Sequence, residues 1–247
     1  GNVMGSNLAN IGLILGLTAI VRPLEVKSRI VWREMPIMLL VTAALFPLLW
    51  DLELTRGDGV LLLMALTAYL VSAFRSVEDQ APEVLGEYKN LVKTSAEDRP
   101  RVHAPDILWI LAGSACLVLG GYCIVEGAVQ VASSLGISQV VIGLTVVAVG
   151  TSLPELATAV VAAARSETDI AVGNVIGSNI FNVTAILGTT ALLEPIRVPA
   201  SILSRELPVV IAISLLLFPL LRSGWRIRRW EGAILLAAYA AAGVYLL

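Results

Sequence analysis

The stretch GNVMGSNLANIGLILGLTAIVRPLEV at residues 1–26 returns without a gap as GNVIGSNIFNVTAILGTTALLEPIRV at residues 173–198. The two copies agree at 14 of 26 positions, and the same offset of 172 residues carries the match on to 23 identities in 50. Two unrelated apolar helices would agree at roughly 10% of positions with such a skewed composition. The chain is therefore built from two related halves, as many membrane transporters are.

The composition is that of a membrane protein. Of the 247 residues, 57% are hydrophobic and 15% are charged, and the mean hydropathy is +0.85. A membrane-spanning helix needs roughly 20 mostly apolar residues. The candidate spans lie at 1–21, 35–50, 58–74, 107–132, 139–164, 169–190, 200–221 and 230–247. The basic residues do not cluster with aromatic ones, so we expect a lipid bilayer rather than a nucleic acid as the surroundings of this chain.

The distribution of Lys and Arg predicts the orientation. If all eight stretches span, 14 of the 17 basic residues fall on one side of the membrane. The side richer in Lys and Arg is normally cytoplasmic. We therefore expect a multi-pass protein of the cell (inner or plasma) membrane, with the loop at 76–106 in the cytoplasm and both chain ends outside.

The number of spans in each copy predicts the symmetry. Residues 107–247 form a second copy with five spans, residues 1–75 form a first copy with three, and residues 76–106 link them. Because five is odd, the two copies enter the membrane in opposite directions, which defines an inverted-topology repeat. We predict an all-α integral membrane transporter. By the same reasoning the first copy lacks its first two helices, so that eight helices are visible of an expected ten.

The fifth stretch, VVIGLTVVAVGTSLPELATAVVAAA, holds a carboxylate in an otherwise apolar helix. An ionisable side chain at membrane depth is costly and marks a functional site by default, although a Glu hydrogen-bonded to a neighbouring helix is the plain alternative. Pro154 disrupts the helical hydrogen bond of the Gly150 carbonyl, whose oxygen is then free beside Glu155. Thr151 shares a helix face with Glu155, and Ser152 adjoins it. These oxygen atoms are candidate cation ligands.

A second set of polar side chains recurs at every fourth position in both copies. It consists of Asn174, Ser178 and Asn182 in the second copy and of Asn2, Ser6 and Asn10 in the first, with Asn179 and Asn7 beside them. Clusters of Gly, Ser and Asn also simply bring helices together, but the regular period opposite a broken helix favours ligands. Carboxylate, amide, hydroxyl and carbonyl oxygens are what hard cations such as Ca²⁺ or Na⁺ prefer.

The motif GLTVVAVGTSLPEL followed by GNVIGSNIFN, with a second GNVMGSNLAN, resembles the paired α-repeats of the calcium/cation antiporter family, which includes the sodium/calcium exchangers, in its prokaryotic form. The resemblance implies ten helices, cation sites at the midplane, and exchange of Ca²⁺ for Na⁺ by alternating access. It implies a second essential Glu upstream of Gly1. The ligands it implies are Glu155, Thr151, Ser152, Ser178, Asn182, Ser6 and Asn10.

Asn182 departs from part of that family, because some sodium/calcium exchangers have an Asp there. With Asn182 the site would hold only two carboxylates, Glu155 and the Glu expected upstream of Gly1. Their two negative charges match one Ca²⁺ but balance the charge of three Na⁺ less well than three carboxylates would. The counter-ion therefore stays open, with a Ca²⁺/H⁺ or K⁺-dependent antiporter as the alternative and a passive cation channel as a third. The ions are transported substrates, and no cofactor is expected. An enzyme is disfavoured because the spans contain no HExxH motif, no paired Asp and no His.

Overall fold

A computed structural model describes residues 1–91, 104–136, 150 and 152–246. Eight helices run through these described residues. They are α1 (Asn2–Val21), α2 (Ile30–Leu48), α3 (Arg56–Leu91), α4 (Ala104–Ser134), α5 (Leu153–Ala164), α6 (Thr168–Leu193), α7 (Ile202–Arg222) and α8 (Arg229–Leu246). Each predicted stretch overlaps one of them, although residues 139–149 and residue 151 of the fifth lie outside the described part. Helix α3 continues into the segment that the sequence assigned to the linker.

Six of these helices are long and apolar enough to cross a membrane: α1, α2, α6, α7, Arg56–Arg75 within α3 and Pro105–Ser134 within α4. The described part of α5 is apolar but shorter, and α8 carries charged residues in its first turn. Large apolar side chains cover the outside of α4, where Trp109 is 76% exposed. Such a surface is stable against lipid and not against water. The predicted all-α membrane fold is confirmed.

The two copies share an irregularity in their backbones. A π-helical turn begins at Asn10 in α1 and at the equivalent Asn182 in α6, and a second pair begins at Ile30 and Ile202. A π turn inserts one extra residue into an α-helix and is frequent at functional sites. Both candidate ligand asparagines therefore stand where the helix changes its pitch.

Two short antiparallel strand pairs show how the halves are related. Strand β1 (Leu24–Glu25) pairs with β4 (Arg226–Ile227), and β2 (Glu53–Leu54) pairs with β3 (Ile196–Arg197). Since β3 is the repeat equivalent of β1, each copy gives the same strand to the other copy. Such reciprocal exchange is the signature of a two-fold axis. The structure thus confirms the predicted inverted repeat.

Equivalent side chains also begin the third helix of one copy and the last helix of the other. The Thr55 N–H donates to Asp58 Oδ2 at 2.8 Å ahead of α3, and the Arg228 N–H donates to Glu231 Oε2 at 2.6 Å ahead of α8. A carboxylate that reaches back in this way satisfies a donor that the first helical turn leaves without a partner. The acidic residues at these two helix starts are therefore explained by capping.

Glycines let two helix pairs approach closely. A Cβ added at Gly232 of α8 would lie 2.7 Å from the Gly16 oxygen of α1, and one added at Gly59 of α3 would lie 2.7 Å from the Gly188 oxygen of α6. Gly16 and Gly188 are repeat equivalents. Small residues at such crossings are the usual means by which membrane helices come into contact. The same kind of contact therefore joins α8 to α1 and α3 to α6.

We expect Gly232→Ala to lower the free energy of unfolding by about 1–3 kcal/mol, because the added methyl meets a backbone oxygen that cannot rotate away. The matched control is Gly243→Ala in the same helix, where an added Cβ would have no other described segment within 4 Å. That change should be neutral or stabilising by up to about 1 kcal/mol. Thermal unfolding of the detergent-solubilised protein compares the two, and equal midpoints would contradict the close-contact role.

Candidate cation site

An open cavity of about 440 Å³ lies between α5 and α6. It is lined by Glu155, Gly173, Asn174, Gly177, Ser178, Phe181, Asn182 and Ile186. The carboxylate predicted on the fifth stretch and the polar stripe predicted on the sixth therefore meet in one place. Two glycines in the wall keep the α6 side of the cavity open, since neither presents a side chain.

Glu155 occupies the first turn of α5, directly after Pro154. Its Oε2 atom is buried and has no hydrogen-bond partner among the described residues. A carboxylate at a helix N-terminus is favoured by the partial positive charge of the exposed backbone N–H groups. A buried carboxylate oxygen without a donor is costly unless a cation or another partner satisfies it. The unsatisfied Oε2 is consistent with the predicted ligand role of Glu155, which stays a prediction.

The other predicted ligands near Glu155 are less fully placed. Ser152 is 3% exposed and directly precedes α5 with φ −99° and ψ 5°, outside helical geometry. Gly150 is buried against Val125 of α4. Neither Ser152 nor Gly150 lines the cavity, and Thr151 lies outside the described residues. Their ligand roles stay predictions.

In the first copy, Ser6 and Asn10 are buried on α1 and do not line this cavity. The π turn that begins at Asn10 nevertheless packs against both α5 and α6. Asn10 Oδ1 is buried without a hydrogen-bond partner among the described residues, as Glu155 Oε2 is. These two unsatisfied oxygens, one on α1 and one on α5, thus lie on segments that pack together. The roles of Ser6 and Asn10 also stay predictions.

Asn7 and Asn179 stand beside the two polar stripes, where the sequence favoured ligands and left helix contact as the alternative, and they connect the two copies. Asn7 Nδ2 donates to the main-chain oxygen of Asn179 at 3.3 Å, and Asn179 Nδ2 donates to that of Asn7 at 3.4 Å. Asn10 Nδ2 donates to Asn179 Oδ1 and Asn182 Nδ2 donates to Asn7 Oδ1, both at 2.9 Å. The sequence carried two signals for this contact. Clusters of Gly, Ser and Asn can bring membrane helices together, and Asn7 and Asn179 are separated by the repeat offset.

An inverted repeat of membrane helices with a carboxylate and amides around a cavity defines a secondary transporter for cations. The family described as "Sodium/calcium exchanger protein" matches residues 1–75 and 106–247. This chain belongs to the sodium/calcium exchanger family, as the sequence motifs predicted.

Individual relatives agree with this assignment. The sodium/calcium exchanger MaX1 of Methanosarcina acetivorans is 36% identical over 271 residues, which cover 98% of this chain and 77% of MaX1. The inner membrane protein YrbG of Escherichia coli is 38% identical over 221 residues, 87% of this chain and 66% of YrbG. A structure of the sodium-calcium exchanger NCX_Mj soaked with Na⁺ and Ca²⁺ matches with a TM-score of 0.78 at 32% identity, covering 100% of this chain and 76% of that one.

Proposed function

We propose that this protein exchanges Ca²⁺ for Na⁺ across a membrane by alternating access, and that Glu155 binds the transported cation. The observation that carries the proposal is the buried Oε2 of Glu155, which no described residue hydrogen-bonds, at a cavity that Ser178 and Asn182 also line. A hydroxyl, an amide carbonyl and a carboxylate are suitable oxygen donors for both ions. MaX1 and NCX_Mj, which carry the name sodium/calcium exchanger, support the choice of ions.

The rest of the ligand set belongs to the same proposal. Thr151, Ser152 and the Gly150 carbonyl would complete the site from the segment ahead of α5. Ser6 and Asn10 would complete it from the first copy, since the π turn that begins at Asn10 packs against α5. Neutral oxygens can bind two different cations in turn because they impose less charge than a ring of carboxylates.

The cellular setting is also proposed. We place the protein in the cell membrane, as the name of the inner membrane protein YrbG suggests for that relative. The halves are residues 1–75 and 107–247, and the linker 76–106 lies in the cytoplasm because the side of the membrane rich in Lys and Arg is normally cytoplasmic.

The counter-ion is tested by supplying one gradient at a time to vesicles that contain the full-length protein. We expect Ca²⁺ uptake to follow an outward Na⁺ gradient at equal pH, and to be several-fold slower with a pH gradient and no Na⁺, because the ion that shares the site must drive exchange. Uptake driven by the pH gradient alone would instead support the Ca²⁺/H⁺ antiporter that the amide at Asn182 leaves open. Vesicles without the protein serve as the control.

A further inference from the structure

Four asparagines form one hydrogen-bonded network where α1 and α6 cross. At its centre, Asn7 and Asn179 each donate a side-chain N–H to the main-chain oxygen of the other. Both are 1% exposed, and they are repeat equivalents, so the contact lies on the two-fold axis. Neither residue lines the cavity that contains Glu155.

The two main-chain oxygens determine which way the central amides point. A backbone carbonyl can only accept, so the atom that faces it must be Nδ2 in both Asn7 and Asn179. The Oδ1 atom of each is then turned outward and can only accept. Asn7 Oδ1 receives the N–H of Asn182 at 2.9 Å, and Asn179 Oδ1 receives that of Asn10 at 2.9 Å.

The outer amides therefore use their donor ends inside the network and keep their carbonyl oxygens outside it. Asn10 Oδ1 is buried with no hydrogen-bond partner among the described residues, and Asn182 lines the cavity with Glu155. The two ends of an amide are nearly the same in shape and opposite in polarity. An amide that turned over would present N–H groups to a cation, which binds oxygen and is repelled by such groups.

We propose that Asn7 and Asn179 are positioning residues that hold the carbonyl oxygens of Asn182 and Asn10 toward the transported cation. The inference rests on the proposed function, because it takes Asn182 and Asn10 as ligands. It also crosses the repeat: Asn7 of the first copy orients Asn182 of the second, and Asn179 of the second orients Asn10 of the first. Each half thus determines which end of an amide in the other half faces the cation.

The experiment compares Asn7→Leu in two backgrounds of the full-length protein by Na⁺-driven Ca²⁺ uptake in vesicles. Leu has the branched shape of Asn, although it is larger, and it neither donates nor accepts a hydrogen bond. In the otherwise unchanged protein the Asn182 amide can then turn over, and we expect the half-saturating Ca²⁺ concentration to rise about tenfold, with a smaller change in maximal rate. With Asn182→Asp also present, both side-chain oxygens are acceptors in either orientation, so Asn7→Leu should change that concentration by no more than about twofold.

A role as simple helix packing predicts something different. It would give the same loss from Asn7→Leu in both backgrounds, and that result would overturn the proposal. The control is Ser214→Ala, which removes a buried hydroxyl that donates only to Val210 of its own helix at 2.7 Å; it should leave the half-saturating concentration unchanged. If Asn7→Leu does not fold, as judged by its unfolding midpoint, the equivalent pair Asn179→Leu and Asn10→Asp makes the same comparison across the two-fold axis.

The positioning role and the proposed function can fail separately. The positioning role alone would be rejected if Glu155→Gln lost uptake while Asn7→Leu had the same effect with and without Asn182→Asp. Unchanged uptake in Glu155→Gln would reject the cation site itself, whatever Asn7→Leu does.

Discussion

Glu155→Gln in the full-length protein is expected to reduce Ca²⁺ uptake at subsaturating Ca²⁺ by about a hundredfold. Gln retains the size of the side chain and one carbonyl oxygen but removes the negative charge. One unit charge acting at about 4 Å contributes from about 1 kcal/mol in water to about 4 kcal/mol in a partly buried site, and a divalent ion experiences it twice over. The loss should therefore appear in apparent affinity first.

The measurement is initial Ca²⁺ uptake into Na⁺-loaded vesicles across a range of Ca²⁺ concentrations. The matched control is Glu167→Gln, the same chemical change at an exposed residue directly before α6; it should transport as the unaltered protein does. Equal transport by both variants would mean that Glu155 does not bind the ion. Unfolding midpoints separate loss of the site from loss of the fold.

Gly177→Leu is expected to block transport while the protein stays folded. Gly177 lines the cavity beside Glu155, and a Cβ added there would have no atom of another described segment within 4 Å. The larger side chain therefore starts from an uncrowded Cβ, and we expect it to occupy room in the cavity that the cation and its water need. We expect the maximal rate of uptake to fall by about tenfold or more, because passage depends on the free width of the path.

Graded substitution makes this expectation specific. Gly177→Ala should reduce the rate less than Gly177→Leu, since it fills less of the cavity. Gly243→Leu in α8 is the control. An added Cβ there also has no other described segment within 4 Å, and Gly243 does not line the cavity. If Gly177→Leu transported like Gly243→Leu, the cavity would not lie on the ion path.

Much of the fold could be predicted because its signals are local. Each span is a run of apolar residues long enough for a bilayer, and each predicted run overlaps a described helix. Boundaries were less accurate: α2 begins at Ile30 rather than at residue 35, and α3 continues to Leu91. Charged residues such as Arg33 and Glu34 lowered the hydropathy there without ending the helix, since tertiary contacts including the Arg33 to Ser72 hydrogen bond hold that turn.

The candidate site could be predicted in part. Glu155, Ser178 and Asn182 share a cavity, as a carboxylate on a proline-disrupted helix and a polar stripe with a period of four suggested. Ser6 and Asn10 do not line it, although they match Ser178 and Asn182 in the repeat. Repetition of sequence implies similar backbones, but it does not imply that both copies open onto the same space.

By itself the sequence determined that this is a membrane protein of two inverted halves in the sodium/calcium exchanger family, because hydropathy, an odd number of spans and a duplicated motif can all be read along the chain. Only the tertiary structure decided that Asn7 meets Asn179 and that the amides of Asn10 and Asn182 are thereby oriented. The physical reason is distance along the chain. These hydrogen bonds join residues 169 to 175 positions apart, and they exist only once the two halves have docked about their common axis.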